Sequence, residues 1–228
     1  MSSIDPFKHV QAKILAAPIQ LAPFPHIYVE DVFPTGYYMD LLRATRSSQL
    51  ENLKKSGRVG SGYPEERFSA NMVDLVKQDG VKEFWAETAK WFIGGDLART
   101  FMTVFKQQIG ERHKGKKFVN DSLLIEDETE YKLGPHTDAP HKVISALFYL
   151  AESTYHPYLG TSLYEPLDPS FICEGGPHYD FDKFKLTKTM AYMPNTLFAF
   201  VKTNNSFHGV EPTVYPRKVL LFNLNVKG

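Results

Sequence analysis

Short apolar runs separated by turn residues dominate the second half of the chain. Those from residue 118 onward are FVNDSLLIE, KVISALFYLAE, GTSLYEP, TLFAFVK, SFHGVEP and RKVLLFNLNV. Runs of this length, rich in β-branched and aromatic residues, are typical of strands in an antiparallel sandwich or barrel. In the last run Val219 lies on one side and Leu220 and Phe222 on the other, so both faces of this strand are predicted to be covered.

The first half of the chain passes from strand to helical spacing. FPHIYVEDVF alternates and predicts a strand, whereas the following PTGYYMDLLRATR has the spacing of an amphipathic helix. Two further helical segments lie within residues 81–109 and meet at Gly94 and Gly95. We therefore predict a mainly β fold in which helices of the N-terminal half pack on one outer face of the β-structure.

Length and composition are those of one domain. The 228 residues are 43% hydrophobic, contain no internal repeat or linker, and can bury a sizeable core. Residues 1–228 are predicted to form a single domain, with about 24–117 as a strand plus helical support and about 118–228 as the β core. The segment of about 151–189 is predicted to be part strand and part lid, with aromatic residues that contact substrate or pin the segment itself.

The charge balance limits the classes of partner. Twenty-six basic and 26 acidic residues give no net charge, so no broad surface favours nucleic acid or anionic lipid over a small molecule or peptide. The longest mostly apolar run, residues 143–151, is far shorter than the roughly 20 residues of a membrane-spanning helix. A single cysteine, Cys173, and a polar start predict a cytoplasmic protein. The sequence carries no signature of the oligomeric state.

The stretch KLGPHTDAPHK carries the candidate chemistry. In an extended segment His136 and Asp138 point the same way, while His141 has the opposite parity. A third ligand could come from His208, in the later run SFHGVEP. Each residue alone is more typical of a polar turn or a buried core histidine. Together, two imidazoles and one carboxylate are the set that binds ferrous iron on one face and leaves other positions open.

A candidate cation accompanies this group. Arg217 lies nine residues after His208, at the start of the last strand, and a turn could return it beside the metal. Its permanently charged, forked donor suits the distal carboxylate of a dicarboxylic acid, although an exposed strand-end arginine is the ordinary alternative. Arg67 and Lys142 are further candidate anchors for an anionic substrate.

The chain resembles the 2-oxoglutarate- and iron(II)-dependent oxygenases over residues 24–226. The matching phrases are FPHIYVEDVFP, EYKLGPHTDAPHKVISALFYL, GTSLYEP, PNTLFAFVKTNNSFHGVEP and RKVLLFNL. The resemblance implies a double-stranded β-helix of the jelly-roll or cupin type with bracing helices. It implies a hydroxylase that uses Fe(II), 2-oxoglutarate and O2, with ascorbate as support in vitro, and releases succinate and CO2.

The same resemblance assigns roles to residues of this chain. His136, Asp138 and His208 would be the catalytic iron ligands. Arg217 would hold the C5 carboxylate of 2-oxoglutarate. Plant-type members have a serine two residues after this arginine, where Val219 stands here. A second contact to the cosubstrate is therefore predicted from Tyr131 or Ser145.

Two other classes of function fit a jelly roll. One is a binding module without catalysis, and the other is a cupin-like isomerase or hydrolase that uses another divalent metal. Arg217 discriminates between them and an oxygenase, because a cupin that binds no 2-oxoglutarate has no reason to keep an arginine beside the distal histidine.

Overall fold

A computed structural model of the chain describes residues 5–56, 59 and 63–227. The helices in these ranges are α1 (Pro6–Ala16), α2 (Thr35–Ser47), α3 (Met72–Leu75), α4 (Lys82–Phe92), α5 (Asp96–Val104) and α6 (Lys106–Ile109). The strands are β1 (His26–Glu30), β2 (Glu51–Asn52), β3 (Arg67–Asn71), β4 (Phe118–Asp127), β5 (Leu133–His136), β6 (Lys142–Leu150), β7 (Ser162–Pro166), β8 (Phe184–Thr189), β9 (Pro194–Val201), β10 (His208–Val210) and β11 (Arg217–Val226).

The strands form two antiparallel sheets. The larger has the order β1-β9-β6-β11-β4-β3-β2, and the smaller has the order β5-β10-β7-β8. From β4 to β11 consecutive strands alternate between the sheets, except that β7 and β8 pair with each other in the smaller one. This alternation is the arrangement of a jelly roll. The mainly β fold predicted from the sequence is confirmed, and each of the six runs quoted for the second half contains a strand.

The helices cover one face of the large sheet. Even-numbered residues of β11 point toward them: the Phe222 ring lies 6.0 Å from the ring of Phe92 and 5.6 Å from that of Phe101, measured between centroids. Leu220 and Leu224 belong to the same buried cluster. Odd-numbered residues of β11, from Arg217 onward, face the interior between the sheets. The two-sided burial predicted for this strand is confirmed.

The segment of residues 151–189 contains β7 and β8. Most of its aromatic residues pack on each other and on Phe207 around the buried Cys173, with Tyr164 and Phe184 at the centre of the cluster. Tyr155 and Tyr158 are exposed and lie outside it. These side chains therefore hold the segment against β10. Its proposed action as a lid stays a prediction, as does the division of the chain at residue 118. None of the helices in the described ranges combines the length and the apolar character needed to cross a membrane.

Candidate metal centre

Strand register brings two distant histidines together. β5 and β10 pair antiparallel with His136 directly opposite His208, and the ring centroids lie 4.4 Å apart. Side chains directly opposite on an antiparallel pair share one face of the sheet. Asp138 follows β5 by two residues, and one ligand atom from each of these three residues lies within 4.8 Å of the other two. The three predicted ligands are thus gathered at one buried point.

Backbone hydrogen bonds orient both imidazoles. Nδ1 of His136 lies 2.9 Å from the carbonyl oxygen of Gly134, and Nδ1 of His208 lies 2.9 Å from that of Ser206. A carbonyl oxygen only accepts, so each Nδ1 carries the proton and each neutral ring presents the Nε2 lone pair. Burial lowers the pKa of His136 well below its ordinary value, and burial also lowers the pKa of His208. Both rings are therefore ready to ligate a metal at neutral pH.

The Asp138 carboxylate is held by two neighbours on β6. Ser145 Oγ donates to its Oδ2 at 2.6 Å, and Lys142 Nζ donates to its Oδ1 at 2.9 Å. Burial alone would raise the pKa of Asp138, but Lys142 and the two imidazoles hold it below its ordinary value. The carboxylate is therefore ionised and fixed in direction. Gly175 packs so closely on the Asp138 backbone that a Cβ there would lie 2.2 Å from the Asp138 carbonyl oxygen.

The candidate metal centre opens into a cavity of about 870 Å³ between the two sheets. Its apolar wall includes Leu123, Leu147 and Leu221 of the large sheet. Arg217 lines the same cavity and is 2% exposed. Buried apolar walls exclude water and strengthen the electrostatic effect of the few polar groups that point inward.

One row of the large sheet carries three charges. Arg67 of β3 is opposite Asp127 of β4, and Asp127 is opposite Arg217 of β11. Arg67 donates to both Asp127 oxygens, from Nε at 2.5 Å and Nη2 at 2.8 Å, while Arg217 Nε donates to Oδ2 at 2.8 Å. Burial alone would raise the pKa of Asp127, but the two guanidinium groups hold it below its ordinary value. The row carries a net charge of +1, which matches one carboxylate.

Arg217 keeps donors for a ligand. Its Nη1 donates to the carbonyl oxygen of Leu159 at 2.6 Å and its Nε to Asp127. An arginine has five N–H donors, so three remain without a partner among the described residues. The guanidinium is thus fixed by two acceptors of the protein and lines the cavity with further donors.

Asp127→Asn should destabilise the protein strongly. The substitution leaves the buried Arg217 and the largely buried Arg67 without a counter-charge, and breaking a buried pair typically costs about 3 to 5 kcal/mol. Because pairing lowers the pKa of Asp127, this contribution is complete above the unfolded carboxyl pKa of about 3.9 and is lost as the pH falls through the lower folded value. The measurement is the free energy of unfolding in urea at neutral pH. Glu126→Gln, on the outer face of the same strand, is the control and should cost less than about 1 kcal/mol.

Thr161 was not predicted from the sequence. It is 1% exposed, lines the cavity, and follows by two residues the Leu159 carbonyl that binds Arg217. Its Oγ1 is buried and has no hydrogen-bond partner among the described residues. An unsatisfied buried hydroxyl is costly unless a ligand or water completes it. The sequence offered only its place in a strand of small residues as a signal.

The two residues predicted as a second cosubstrate contact have other neighbours. The Ser145 hydroxyl lines the cavity and donates its hydrogen bond to Asp138. Tyr131 is fully buried, with its ring under the Arg67 guanidinium at 4.3 Å from the centroid. Their contact with 2-oxoglutarate stays a prediction. Arg67 and Lys142, considered as anchors for an anionic substrate, are both paired with buried aspartates.

Two further histidines border the cavity. The ring centroid of His178 lies 4.6 Å from that of His136, and burial lowers the pKa of His178. His141 is exposed at the cavity wall. Neither belongs to the group of three converging ligand atoms.

Comparison with known proteins gives structural likeness without sequence likeness. No family model matches the sequence, and no curated protein matches it. A prolyl-4-hydroxylase from Pseudomonas putida aligns with 96% of this chain and 99% of its own, at a TM-score of 0.56 and 12% identity. A prolyl hydroxylase from Trichoplax adhaerens, in complex with a hypoxia inducible factor peptide fragment, aligns with 96% of this chain and 89% of its own, at a TM-score of 0.57 and 12% identity.

A third solved structure is that of an enzyme with a different reaction. SnoN, a non-heme alpha ketoglutarate dependent epimerase from nogalamycin biosynthesis, aligns with 96% of this chain and 81% of its own, at a TM-score of 0.53 and 12% identity. SnoN has also been solved with Fe3+ and alpha ketoglutarate. The fold of this chain is therefore the double-stranded β-helix of the 2-oxoglutarate- and iron-dependent oxygenases, as the resemblance implied. Because that fold serves more than one reaction, the function must be argued from the site.

Proposed function

We propose that this chain is an Fe(II)- and 2-oxoglutarate-dependent oxygenase that hydroxylates a C–H bond of its substrate. One observation carries the proposal: a buried group of two histidines and one carboxylate shares a cavity with a buried arginine that has free donors. The neutral Nε2 atoms and the ionised Asp138 fit ferrous iron. The described residues add no fourth His, Cys, Asp or Glu to this group, which leaves positions for cosubstrate and dioxygen.

The chain's own residues position the reactants and exclude water. When bound together, iron, 2-oxoglutarate and dioxygen supply the oxidation: 2-oxoglutarate becomes succinate and CO2 and takes one oxygen atom, and the other atom converts a C–H bond to C–OH. Lys142 and Ser145 hold the Asp138 carboxylate in the direction that a metal on the two histidines requires. The leucine wall of the cavity keeps solvent from the reacting bond.

Arg217 and Thr161 would bind the distal carboxylate of 2-oxoglutarate. The charged row that ends at Arg217 has one positive charge in excess, and the carboxylate would neutralise it. Thr161 Oγ1, close along the chain to the Leu159 carbonyl that fixes Arg217, would donate a second hydrogen bond. In this arrangement Ser145 serves the metal ligand and Tyr131 supports Arg67.

Thr161→Val should weaken 2-oxoglutarate binding roughly tenfold to hundredfold. Valine keeps the shape but removes the hydroxyl, and a hydrogen bond to a charged group is worth about 1.5 to 3 kcal/mol. The measurement is calorimetric titration of 2-oxoglutarate into the anaerobic Fe(II) protein. Ser162→Ala removes the adjacent hydroxyl, which bonds to Thr189 instead, and should leave the affinity unchanged. Equal binding by wild type and Thr161→Val would exclude Thr161 from the cosubstrate site.

The substrate is proposed to be a small molecule or a peptide. The Trichoplax neighbour was solved with a peptide and SnoN with nogalamycin RO, so the fold accommodates both kinds. A cytoplasmic location is proposed because the single cysteine, Cys173, is buried and unbridged.

Isotope labelling tests the proposed hydroxylation. The protein is incubated with Fe(II), 2-oxoglutarate, ascorbate and a small-molecule extract under ¹⁸O₂. We expect labelled succinate and a product that has gained one labelled oxygen, both dependent on 2-oxoglutarate. A product of unchanged mass with succinate release would support the assignment as an oxygenase but contradict hydroxylation as its reaction. A product that forms with Zn(II) and without 2-oxoglutarate would favour the cupin-like isomerase or hydrolase.

A further inference from the structure

A group of hydrogen-bond acceptors lies on the cavity side of the large sheet, at the end away from Arg217. Asp121 of β4 is directly opposite Asn223 of β11, and both line the cavity. Asp121 accepts hydrogen bonds from Nδ2 of Asn223 at 2.7 Å and from Nδ2 of Asn225 at 3.0 Å. These three residues, here called the acceptor group, share the inward parity of Arg217.

The carboxylate determines which way the two amides point. An ionised carboxylate only accepts, so each asparagine must turn its Nδ2 toward Asp121 and its Oδ1 away from it. Asn223 is 4% exposed and Asn225 is 7% exposed, and neither Oδ1 has a hydrogen-bond partner among the described residues. Buried acceptors without a partner are rare in folded proteins and call for a donor from a ligand or water. The missing component of the acceptor group is therefore an N–H or O–H donor.

The charges of the cavity specify the sign of that donor. Arg67 and Arg217 are paired with Asp127, and Lys142 is paired with Asp138. Asp121 is exposed at the cavity and has only the two neutral amides as partners among the described residues. An ionised carboxylate that lines the cavity beside Asn223 favours a cationic donor over a neutral one, because ionic hydrogen bonds are the stronger.

Distance separates this group from the proposed cosubstrate position. Arg217 and Asn223 are six residues apart on β11, which is about 20 Å at the rise of a β-strand. The leucine wall, with Leu123 and Leu221, lies between them on adjacent inward positions of β4 and β11. A cosubstrate bound at Arg217 would leave the acceptor group to the substrate.

We propose that Asp121 and Asn223 bind a cationic N–H donor group of the substrate, an ammonium or a guanidinium, whose aliphatic part lies along Leu123 and Leu221. That the bound molecule is the substrate rests on the proposed function, whereas its binding to Asp121 and Asn223 does not need the metal. It defines the substrate class as a basic amine or guanidine compound, or a peptide that carries such a side chain.

A matched pair of probes tests this inference. n-Butylguanidinium and n-butylurea have nearly the same shape but differ in charge, and their binding can be measured by ligand-observed NMR titration. The wild-type protein should bind n-butylguanidinium at least about tenfold more tightly than n-butylurea. Asp121→Asn should remove this preference, and Asn223→Leu should reduce it severalfold. Glu126→Gln makes the same charge change on the opposite face of β4 and should retain the preference.

Each outcome supports or overturns the inference. Equal affinity for the two probes, no binding of either, or a preference that survives Asp121→Asn would overturn it. The titration is repeated with the metal-free protein and with the protein loaded with Zn(II) and 2-oxoglutarate. Cation preference in both states, without metal-dependent 2-oxoglutarate binding, would retain the acceptor site and reject the oxygenase. Metal-dependent 2-oxoglutarate binding without cation preference would support the oxygenase and reject the acceptor site.

Discussion

Arg217→Ala is expected to weaken 2-oxoglutarate binding roughly thirtyfold to several-thousandfold. Losing a charged partner of a buried carboxylate typically costs about 2 to 5 kcal/mol. Arg217 is 2% exposed and is fixed by Asp127 and by the Leu159 carbonyl. The Arg67 guanidinium also lines the cavity, but it is held by both Asp127 oxygens, so we expect it not to replace Arg217. The measurement is 2-oxoglutarate affinity under anaerobic Fe(II), or with an inert metal in place of iron.

Two further observations isolate the role of the guanidinium. Arg217→Lys should rescue binding incompletely, because a lysine supplies the charge without the fork that also holds Asp127 and Leu159. Metal affinity should be retained in both variants, since Arg217 is not among the three converging ligand residues. If wild type and both variants bind 2-oxoglutarate alike, Arg217 has a structural role only and the assignment of the cosubstrate is wrong.

Asp138→Ala is expected to abolish turnover while leaving a folded protein. The substitution removes the one carboxylate of the metal centre and leaves Lys142 and Ser145 without their acceptor. We expect the fold to persist because it rests on the aromatic and aliphatic clusters around the large sheet. Succinate release, metal content and circular dichroism are measured together.

A nearby histidine provides the control for this variant. His178→Ala removes an imidazole whose centroid lies 4.6 Å from that of His136 but which is outside the converging group. It should retain bound metal. Loss of metal from His178→Ala, or metal-dependent turnover by Asp138→Ala, would contradict the assignment of the ligands.

The group of candidate metal ligands could be predicted from the sequence because its geometry is mostly local. His136 and Asp138 are two residues apart in an extended segment, so their common direction follows from strand parity. His208 could be chosen because it lies in a short apolar run with the pattern of a strand. The exact register of β5 and β10, which places His208 opposite His136, has no comparable signature.

The charged row of Arg67, Asp127 and Arg217 could not be predicted in the same way. Its members come from three strands widely separated in the chain, and only the pairing of β3 with β4 and of β4 with β11 aligns them. The sequence therefore indicated Arg67 as a free anchor, whereas the structure pairs it with Asp127. Thr161 and Asn223 were missed for a related reason, because an unsatisfied buried atom is visible only after the surrounding side chains are placed.

The most direct test of the proposed function is the dependence of 2-oxoglutarate turnover on metal. Succinate is measured after incubation of the protein with 2-oxoglutarate, ascorbate and dioxygen, with Fe(II) or Zn(II), alongside calorimetric titration of 2-oxoglutarate into each metal-loaded form. We expect 2-oxoglutarate to bind in the presence of either metal. Succinate should form with Fe(II) but not with Zn(II), even without the true substrate. Tight binding of Zn(II) together with no 2-oxoglutarate binding to any metal-loaded form would contradict the oxygenase.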